Sequence, residues 1–322
     1  MKAVRVHQIG GPEVLRFEEV EVAPPGPGEV RIKVEAIGLN FIDTYKRSGL
    51  YRVPLPHVLG QEAAGTVIAL GSEVTDVAIG DRVGSVNVNG AYAEQAIVPA
   101  AKLVRLPESV STETAAALLL QGLTAQYLTA GTFPLQRGDT ALVHAAAGGV
   151  GLLLVQLAKR AGARVLATVG SDEKATLARE AGADEVVVYT REDFAAAARR
   201  FTDGRGVDVV YDGVGRDTFE GSLNSLRPRG LLASFGNASG AVPPFSPLVL
   251  SEKGSLFLTR PTLGHYLQTR DELLTRANAL FEALADGSLR VRIGASFPLA
   301  QAAEAHRALE GRRTTGKVLL LP

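Results

Sequence analysis

The sequence predicts an α/β protein in which a doubly wound, six-stranded parallel sheet follows a β-rich N-terminal region. Two observations carry this prediction. From Gly122 onward, short apolar segments alternate with helical segments, whereas the preceding residues contain strand-like and turn-like segments only. A glycine-rich turn then joins the first of these apolar segments to a helix, as in a dinucleotide-binding βαβ unit.

The N-terminal region is predicted to consist of short strands. Val30, Ile32, Val34 and Ala36 alternate with charged residues, which indicates a strand with one buried and one solvated face. Further short strands are separated by glycines at spacings typical of barrels, namely Gly60, Gly65, Gly71, Gly80, Gly84 and Gly90.

Six apolar segments are predicted to form the strands of the parallel sheet. They are Thr140–Ala146, Arg164–Thr168, Glu185–Val188, Val207–Tyr211, Leu231–Phe235 and Ser255–Thr259. Helical stretches lie between them, and one opens at the capping residue Ser171 and closes at Gly182. Strands joined by helical crossovers predict a doubly wound sheet.

The C-terminal part begins after Pro261, which ends the strand–helix alternation. An apolar stripe then predicts an amphipathic helix over residues 271–287, and residues 317–321 are strand-like again. We therefore expect a nucleotide-binding domain over residues 123–261 and a catalytic domain over residues 1–122 and 262–322.

The glycine-rich turn is the strongest functional signal. Ala146, Gly148 and Gly151 occupy the three positions of a G-x-G-x-x-G motif, with alanine at the first. Small residues here let the backbone approach a pyrophosphate, whose charge then lies at a helix N-terminus. The residues predicted to bind the cofactor here are Ala146, Gly148, Gly149, Val150 and Gly151. The alternative is an ordinary tight turn without a ligand.

The residues after the second strand predict NADPH rather than NADH. An NAD site usually has Asp or Glu at this strand's end, but here Val169 is followed by Gly170 and Ser171. Lys174, at the start of the next helix, can supply a positive charge to a 2′-phosphate. The alternatives are that Lys174 is a solvated surface lysine, and that nearby Asp172 and Glu173 weaken the preference.

Composition excludes several function classes. Lys plus Arg and Asp plus Glu both number 34, so no net charge indicates a nucleic-acid or membrane partner. The 322 residues contain no cysteine, which excludes disulfides and thiolate zinc sites. No uninterrupted apolar stretch of about 18 residues is present. No signal-peptide core follows the N-terminus, so we expect a cytoplasmic enzyme.

Several motifs resemble those of the quinone oxidoreductase/zeta-crystallin family, the zinc-independent branch of the medium-chain dehydrogenases. Its signature is matched in spacing by Gly138-Asp139, Leu142, Ala146 to Gly149, Gly151, Gln156 and Lys159. The resemblance extends from GGPEVL at residues 10–15 to the C-terminal strand. It is closest in NFIDTY at 40–45, RSGLY at 47–51, HAAAGGVG at 144–151 and SFGNASG at 234–240.

This resemblance implies a chaperonin-10-like partial β-barrel in the N-terminal region, rejoined by the C-terminal strand. It implies a cofactor cleft between the two domains, with Lys174 and Tyr189 at the adenosine phosphate. By the same resemblance, the nicotinamide is held by Thr124 and the turn Phe235-Gly236-Asn237. Asn40, Tyr45 and Tyr51 are expected around the nicotinamide and the acceptor, although each tyrosine is equally well explained as a core residue. Finally, the family implies a homodimer that pairs through the edge strand Ser255–Thr259.

The sequence predicts no metal site. Zinc-dependent relatives have Gly-His-Glu where this chain has Gly60-Gln61-Glu62, and its five histidines show no ligand spacing. We expect Glu62 to have a structural role in hydrogen bonding.

The predicted function is NADPH-dependent reduction of a quinone, an acceptor that needs no Lewis acid. Asn40 or a tyrosine is expected to donate a hydrogen bond to the developing oxyanion. One alternative is an NADPH-dependent enal or enone reductase with the same fold. A different class is a single-stranded RNA-binding protein of the zeta-crystallin type, although no basic stripe interleaved with aromatic residues supports it.

Overall fold

A computed structural model describes all 322 residues, and the chain divides into two compact units. The first, here called the barrel unit, comprises Met1–Leu120, Thr269–Phe281 and Val291–Pro322. The second, the nucleotide unit, comprises Gln121–Gln268 and Glu282–Arg290. The placement of residues 262–268 and 282–290 in the nucleotide unit differs from the expected domain boundaries. Residues 282–290 bond to the helix after the glycine turn, through an Asp286–Arg160 ion pair and a bond from the Arg290 amide to Gln156 (2.7 Å).

The N-terminal part of the chain is strand-rich. Its strands are β1 (Lys2–Val6), β2 (Leu15–Glu19), β3 (Glu29–Leu39), β4 (His57–Val58), β5 (Glu62–Leu70), β6 (Arg82–Ser85), β7 (Gln95–Pro99) and β8 (Val104–Arg105). Its helices are α1 (Phe41–Ser48) and α2 (Thr112–Tyr127). The predicted alternation in β3 is confirmed, since Val30, Ile32 and Val34 are buried while Lys33 is exposed.

The nucleotide unit contains six parallel strands and the helices between them. The strands are β9 (Thr140–Val143), β10 (Arg164–Val169), β11 (Glu185–Val188), β12 (Val207–Asp212), β13 (Leu226–Ser234) and β14 (Phe257–Thr259). The helices are α3 (Gly149–Arg160), α4 (Asp172–Glu180), α5 (Phe194–Phe201), α6 (Phe219–Ser225) and α7 (Leu248–Glu252).

The strand order is β11-β10-β9-β12-β13-β14, and every pairing is parallel. This is the doubly wound order 3-2-1-4-5-6, so the predicted sheet is confirmed. Because the strands are parallel, the segments that follow them all emerge at one edge of the sheet.

Three predicted strand boundaries were wrong by two or more residues. β9 ends at Val143, because Ala145 adopts a positive φ of 49° and turns the chain before the glycines. β14 begins at Phe257 rather than Ser255, whose φ is 55°. β13 begins at Leu226 rather than Leu231, with a register irregularity in its pairing to β12.

The C-terminal elements are α8 (Arg270–Ala285), β15 (Ile293–Pro298), α9 (Ala302–Glu310) and β16 (Lys317–Leu321). β16 pairs antiparallel with β3 and parallel with β15, which places it inside the seven-stranded sheet of the barrel unit. A smaller sheet has the order β2-β1-β4. None of the helices combines the length and apolar character needed to cross a membrane.

Candidate active site

The glycine turn lies between β9 and α3 in the nucleotide unit. Gly148 is the N-cap of α3, and no side chain caps this helix end. At Gly151, a Cβ atom would lie 2.3 Å from the Ala145 carbonyl oxygen, so only glycine lets the helix pack this closely. The turn therefore leaves the helix N-terminus open to an anion, as a bound pyrophosphate requires.

Gln121 also borders this turn, and sequence reasoning missed it. A Cβ atom on Gly149 would lie 2.0 Å from the Gln121 amide oxygen, so the two residues are in close contact. That oxygen is buried and accepts no hydrogen bond. An unpartnered acceptor beside an open helix N-terminus fits a ligand that carries both phosphates and hydroxyls, as a dinucleotide does.

The carboxyl end of β10 gathers the residues predicted to bind the 2′-phosphate. Val169 is buried, and Gly170 follows it beside Tyr189, whose hydroxyl would lie 2.9 Å from a Cβ on Gly170. Ser171 is the N-cap of α4 and accepts a hydrogen bond from the Lys174 amide (3.4 Å). The half-buried Lys174 thus lies in the first turn of α4, where its ammonium group can reach an anion held at that helix end.

Asp172, one of the two acids that precede Lys174 on α4, forms an ion pair. Arg191 donates two hydrogen bonds to its carboxylate, one of them at 3.1 Å. These bonds lower the pKa of Asp172, although both side chains are exposed. Because Arg191 offsets its charge, Asp172 opposes a bound phosphate less than its position alone would imply.

The turn after β13 contains the residues predicted to hold the nicotinamide. Arg260 donates to the Ser234 carbonyl (2.8 Å), and also to the Asn237 side chain (3.1 Å) when the amide oxygen of that residue faces it. Gly236 is buried, and a Cβ there would lie 2.2 Å from the Gly213 carbonyl oxygen. The turn at Phe235-Gly236-Asn237 is thus held by hydrogen bonds from Arg260 and by close packing of Gly236 against Gly213. Thr124 is also buried, on the part of α2 that belongs to the nucleotide unit.

In the barrel unit, the three residues predicted to be catalytic lie on α1 or next to its ends. Asn40 is its N-cap, and Gly49 ends it with φ 84°. This left-handed turn brings the chain back, so that the Tyr51 amide donates to the Tyr45 carbonyl (3.0 Å). The Tyr45 and Tyr51 rings meet edge-on, with centroids 5.3 Å apart. The two tyrosines therefore form one aromatic pair, and Tyr51 keeps 38% of its surface exposed.

The Asn40 side chain belongs to a buried polar cluster with Glu62 and Lys317. Its amide nitrogen donates to the Gly38 carbonyl and to Glu62, both at 2.9 Å, and its oxygen accepts from Lys317 (2.8 Å). Both amide hydrogens are therefore used within the protein. The expectation that Asn40 donates to an oxyanion does not fit this geometry, because only an acceptor lone pair remains.

Glu62 and Lys317 form a fully buried ion pair, with exposures of 0% and 1% and an O–N distance of 2.6 Å. The second carboxylate oxygen of Glu62 accepts from the Leu120 amide (2.6 Å). The expected hydrogen-bonding role of Glu62 is thus confirmed. Lys317 was missed, and its only sequence signal is a lone charge at the start of the apolar strand KVLLL.

A second network of buried side chains includes Asp43 and Arg47 of α1. Asp43 accepts from the Asn40 backbone amide (2.9 Å) and from the Tyr92 hydroxyl (3.2 Å), while its other oxygen has no partner. Burial raises the pKa of Asp43 to about 6. The Tyr92 hydroxyl also bonds to His306 (3.0 Å), and Arg47 donates to the far side of that imidazole (2.9 Å). Burial and the Arg47 charge lower the pKa of His306 to about 3, so the ring is neutral.

No group of three or more His, Cys, Asp or Glu side chains is arranged to hold a metal ion. Gln61, which stands where zinc-dependent relatives have the histidine of Gly-His-Glu, accepts a hydrogen bond from Lys46 (3.1 Å). The absence of a metal from the reaction stays a prediction.

Comparisons with known proteins agree with this architecture. The sequence model of the family "Alcohol dehydrogenase GroES-like domain" matches residues 26–108, and that of "Zinc-binding dehydrogenase" matches residues 149–275. These matches confirm the expected combination of a chaperonin-10-like domain and a Rossmann domain.

Similar proteins match over their whole length. Quinone oxidoreductase from Pseudomonas aeruginosa is 51% identical, with 100% of this chain and 99% of the relative covered. A 2-haloacrylate reductase from Burkholderia is 44% identical, with 99% and 98% covered. The structure of Escherichia coli quinone oxidoreductase complexed with NADPH superimposes with a TM-score of 0.98 at 46% identity, and both chains are covered completely.

Proposed function

The chain belongs to the quinone oxidoreductase family of medium-chain dehydrogenases/reductases, and from this premise we propose which of its residues carry out the reaction. It is an NADPH-dependent oxidoreductase that reduces quinones. The observation that carries this conclusion is the full-length match to quinone oxidoreductases, one of them in complex with NADPH. The residues described above fit that cofactor.

Three groups of residues in the nucleotide unit are proposed to bind NADPH. The pyrophosphate is bound by the turn residues Gly148, Gly149, Val150 and Gly151, with Ala146 beneath them and Gln121 accepting from a hydroxyl. The adenosine 2′-phosphate is bound by Gly170, Ser171, Lys174 and Tyr189. The nicotinamide end is held by Thr124, Phe235, Gly236 and Asn237. When bound, NADPH supplies the two electrons and one hydrogen that the quinone receives.

Asn40 is proposed to orient the nicotinamide end by accepting a hydrogen bond, because its amide hydrogens are bound to Gly38 and Glu62. Lys317 fixes this orientation by donating to the amide oxygen. Asn40 is therefore proposed as a cofactor-binding residue and not as a hydrogen-bond donor in catalysis.

Tyr45 and Tyr51 are proposed to bind the acceptor. An edge-on aromatic pair offers a flat apolar surface for a quinone ring and a hydroxyl that can donate to its oxygen. Positioning supplies most of the acceleration, because a quinone accepts a hydride readily once it is held close to the donor. Loss of an oxyanion donor costs about 2.7–4 kcal/mol at a localised charge. Since a quinone delocalises that charge, we expect a smaller effect, about a tenfold to hundredfold loss of turnover.

The test is NADPH consumption with benzoquinones and naphthoquinones, for wild type and for Tyr45→Phe, Tyr51→Phe and Asn40→Ala, with a chelator present throughout. We expect each Tyr→Phe variant to lose turnover and Asn40→Ala to raise the KM for NADPH. Tyr211→Phe is the control, because its hydroxyl contacts only the carbonyls of Leu128 and Phe133. Wild-type turnover in both tyrosine variants would refute the donor role, and inhibition by the chelator would refute a metal-free reaction.

A second candidate activity is reduction of activated enals or enones. It is favoured by the similarity to 2-haloacrylate reductase, whose name describes a polarised carbon–carbon double bond as the substrate. The same assay decides between the two when acrylates and enals are added to the panel. A kcat/KM higher for an enal than for every quinone would favour this alternative.

A homodimer is proposed through the edge of the six-stranded sheet. β14 is the last strand of that sheet, and Phe257 on it is 60% exposed. An unpaired edge with an exposed aromatic side chain favours pairing with a second copy, which protects the edge from aggregation. The cytoplasm remains the proposed location, since the enzyme depends on an intracellular supply of NADPH.

A further inference from the structure

A chain of buried polar side chains crosses the carboxyl edge of the six-stranded sheet and is used by none of the roles above. Its members are His144, Thr168, Asp212, Thr218 and Ser222, and His144, Thr168, Asp212 and Ser222 are at most 2% exposed. We propose that His144 is a positioning residue: through Ser222 and Asp212 it fixes the turn that receives the nicotinamide end of NADPH. This inference rests on the proposed cofactor site.

Asp212 determines the direction of every hydrogen bond in this chain. Its carboxylate can only accept, so the Ser222 hydroxyl must donate to it (2.9 Å). The Ser222 oxygen then accepts from His144 Nε2 (3.0 Å), which places the imidazole hydrogen on Nε2. Nδ1 is left as an acceptor for the Thr168 hydroxyl (2.8 Å). Burial lowers the pKa of His144, which agrees with this neutral ring.

The other bonds to Asp212 shape the loop that follows β12. One carboxylate oxygen accepts from the amides of Val214 (2.8 Å) and Gly215 (3.0 Å), and the Thr218 hydroxyl contacts both oxygens (2.7 and 2.9 Å). The buried charge is therefore held by N–H and O–H donors. If one donor is lost, the others shift to compensate, because an unsatisfied buried carboxylate is costly.

That loop is joined directly to the proposed nicotinamide turn. The Phe235 amide donates to the Asp212 carbonyl (2.8 Å), the Ala238 amide to the Gly213 carbonyl (3.2 Å) and the Ser239 amide to the Val214 carbonyl (2.8 Å). Gly213 lies against the Phe235 ring, with 2.9 Å between that ring and a Cβ placed there. A shift of the loop at 213–215 is thus transmitted to Phe235 and Asn237.

The glycine turn and the adenosine site adjoin this chain at its other end, at His144 and Thr168, and not at Ser222 or Asp212. α3 is capped at Gly148, and Lys174 lies on α4, which is capped by Ser171. Disruption of the link between Ser222 and Asp212 should therefore weaken binding at the nicotinamide end and leave the adenosine end unchanged. Two ligands separate these ends: NADPH, and 2′,5′-ADP, which has the adenosine 2′-phosphate but no nicotinamide.

The experiment measures the dissociation constants of NADPH and 2′,5′-ADP by calorimetry for Ser222→Ala, with Ser225→Ala as the matched control. Ser225 lies on the same helix and is equally buried, but its hydroxyl bonds only to the Gly221 carbonyl within that helix. We expect Ser222→Ala to weaken NADPH about tenfold and to change 2′,5′-ADP less than about twofold. Ser225→Ala should bind both ligands like wild type.

Two further variants test the imidazole itself. His144→Gln keeps an acceptor and a donor and should retain NADPH affinity, whereas His144→Leu, which removes both, should lose it as Ser222→Ala does. Equal weakening of both ligands, or no change in either, would overturn the positioning role. These experiments measure binding and not turnover. If the wild-type protein bound NADPH but reduced no quinone, only the proposed acceptor would be refuted, and the role of His144 could still be tested.

Discussion

The buried Glu62–Lys317 pair leads to the sharpest stability prediction. In Lys317→Met the side-chain volume is nearly kept, but the carboxylate of Glu62 loses its cation at a site with 0% exposure. Removal of one partner from a buried ion pair typically costs about 3–5 kcal/mol, because the remaining charge is uncompensated. At about 2–4 °C per kcal/mol for a unit of this size, the Tm should fall by about 6–20 °C.

The double variant Lys317→Met, Glu62→Gln separates the charge effect from the packing effect. The glutamine side chain that replaces Glu62 is neutral and still offers an oxygen to the Leu120 amide, but it can no longer accept from Asn40 as well. The double variant should therefore recover most of the loss and remain within about 2 kcal/mol of wild type. Asn40 loses the bond from Lys317 in both variants, so that loss cancels in the comparison.

The measurement is thermal and urea unfolding of the four proteins of the double-mutant cycle. Lys2→Met is the control, since Lys2 forms an exposed pair with Glu19 (3.1 Å) in the same unit, and its loss should change stability far less. A loss in Lys317→Met no larger than in Lys2→Met would refute the reasoning. The reasoning would also be refuted if the loss of stability in the double variant equalled the sum of the two single-variant losses.

Three further predictions follow from the site. Lys174→Ala should weaken NADPH about tenfold or more and leave NADH unchanged, whereas Arg179→Ala on the same helix should affect neither; equal losses for the two cofactors would contradict the 2′-phosphate assignment. The lowered pKa of His306, about 3 against an ordinary 6.5, means that its contribution to stability is complete above pH 6.5 and is lost as the pH falls towards 3. In His306→Gln the Tm should therefore fall less between pH 6.5 and 4 than in wild type. If the Tm of both proteins depends on pH in the same way, protonation of His306 does not contribute to the acid sensitivity. Phe257→Asp should convert a dimer to monomer in sedimentation at micromolar concentration, and a wild-type protein already monomeric there would refute the edge-strand interface.

The sequence predicts those parts of the fold that depend on local patterns. All six strands of the nucleotide unit lie where apolar segments predict them, because burial on both faces of a parallel sheet requires continuous apolar side chains. The strand ends were less predictable. Ala145 and Ser255 adopt positive φ angles that their residue types do not announce.

Sequence patterns name the candidate residues of the site but do not specify the hydrogen-bond partners that limit what each can do. The positions of Gly148 and Lys174 follow from motif spacing. By contrast, the function of Asn40 depends on partners 22 and 277 residues away, Glu62 and Lys317, and these occupy its donors and set its orientation. No local pattern specifies such contacts, because Glu62 reaches Asn40 only when β5 pairs with β3, and Lys317 only when β16 does.

The central position of β16 has a consequence for the order in which the chain folds during synthesis. All six strands of the nucleotide unit lie within Gln121–Gln268, so that sheet can be completed while later residues are still being translated. The seven-stranded sheet cannot, because β3 and β15 are joined only through β16, beginning at Lys317. Until then Glu62 has no cation. The N-terminal strands are thus the first to leave the ribosome, yet their sheet is completed only after the nucleotide unit, and a nascent chain that stalls before residue 317 carries an unfinished barrel unit together with a finished nucleotide unit.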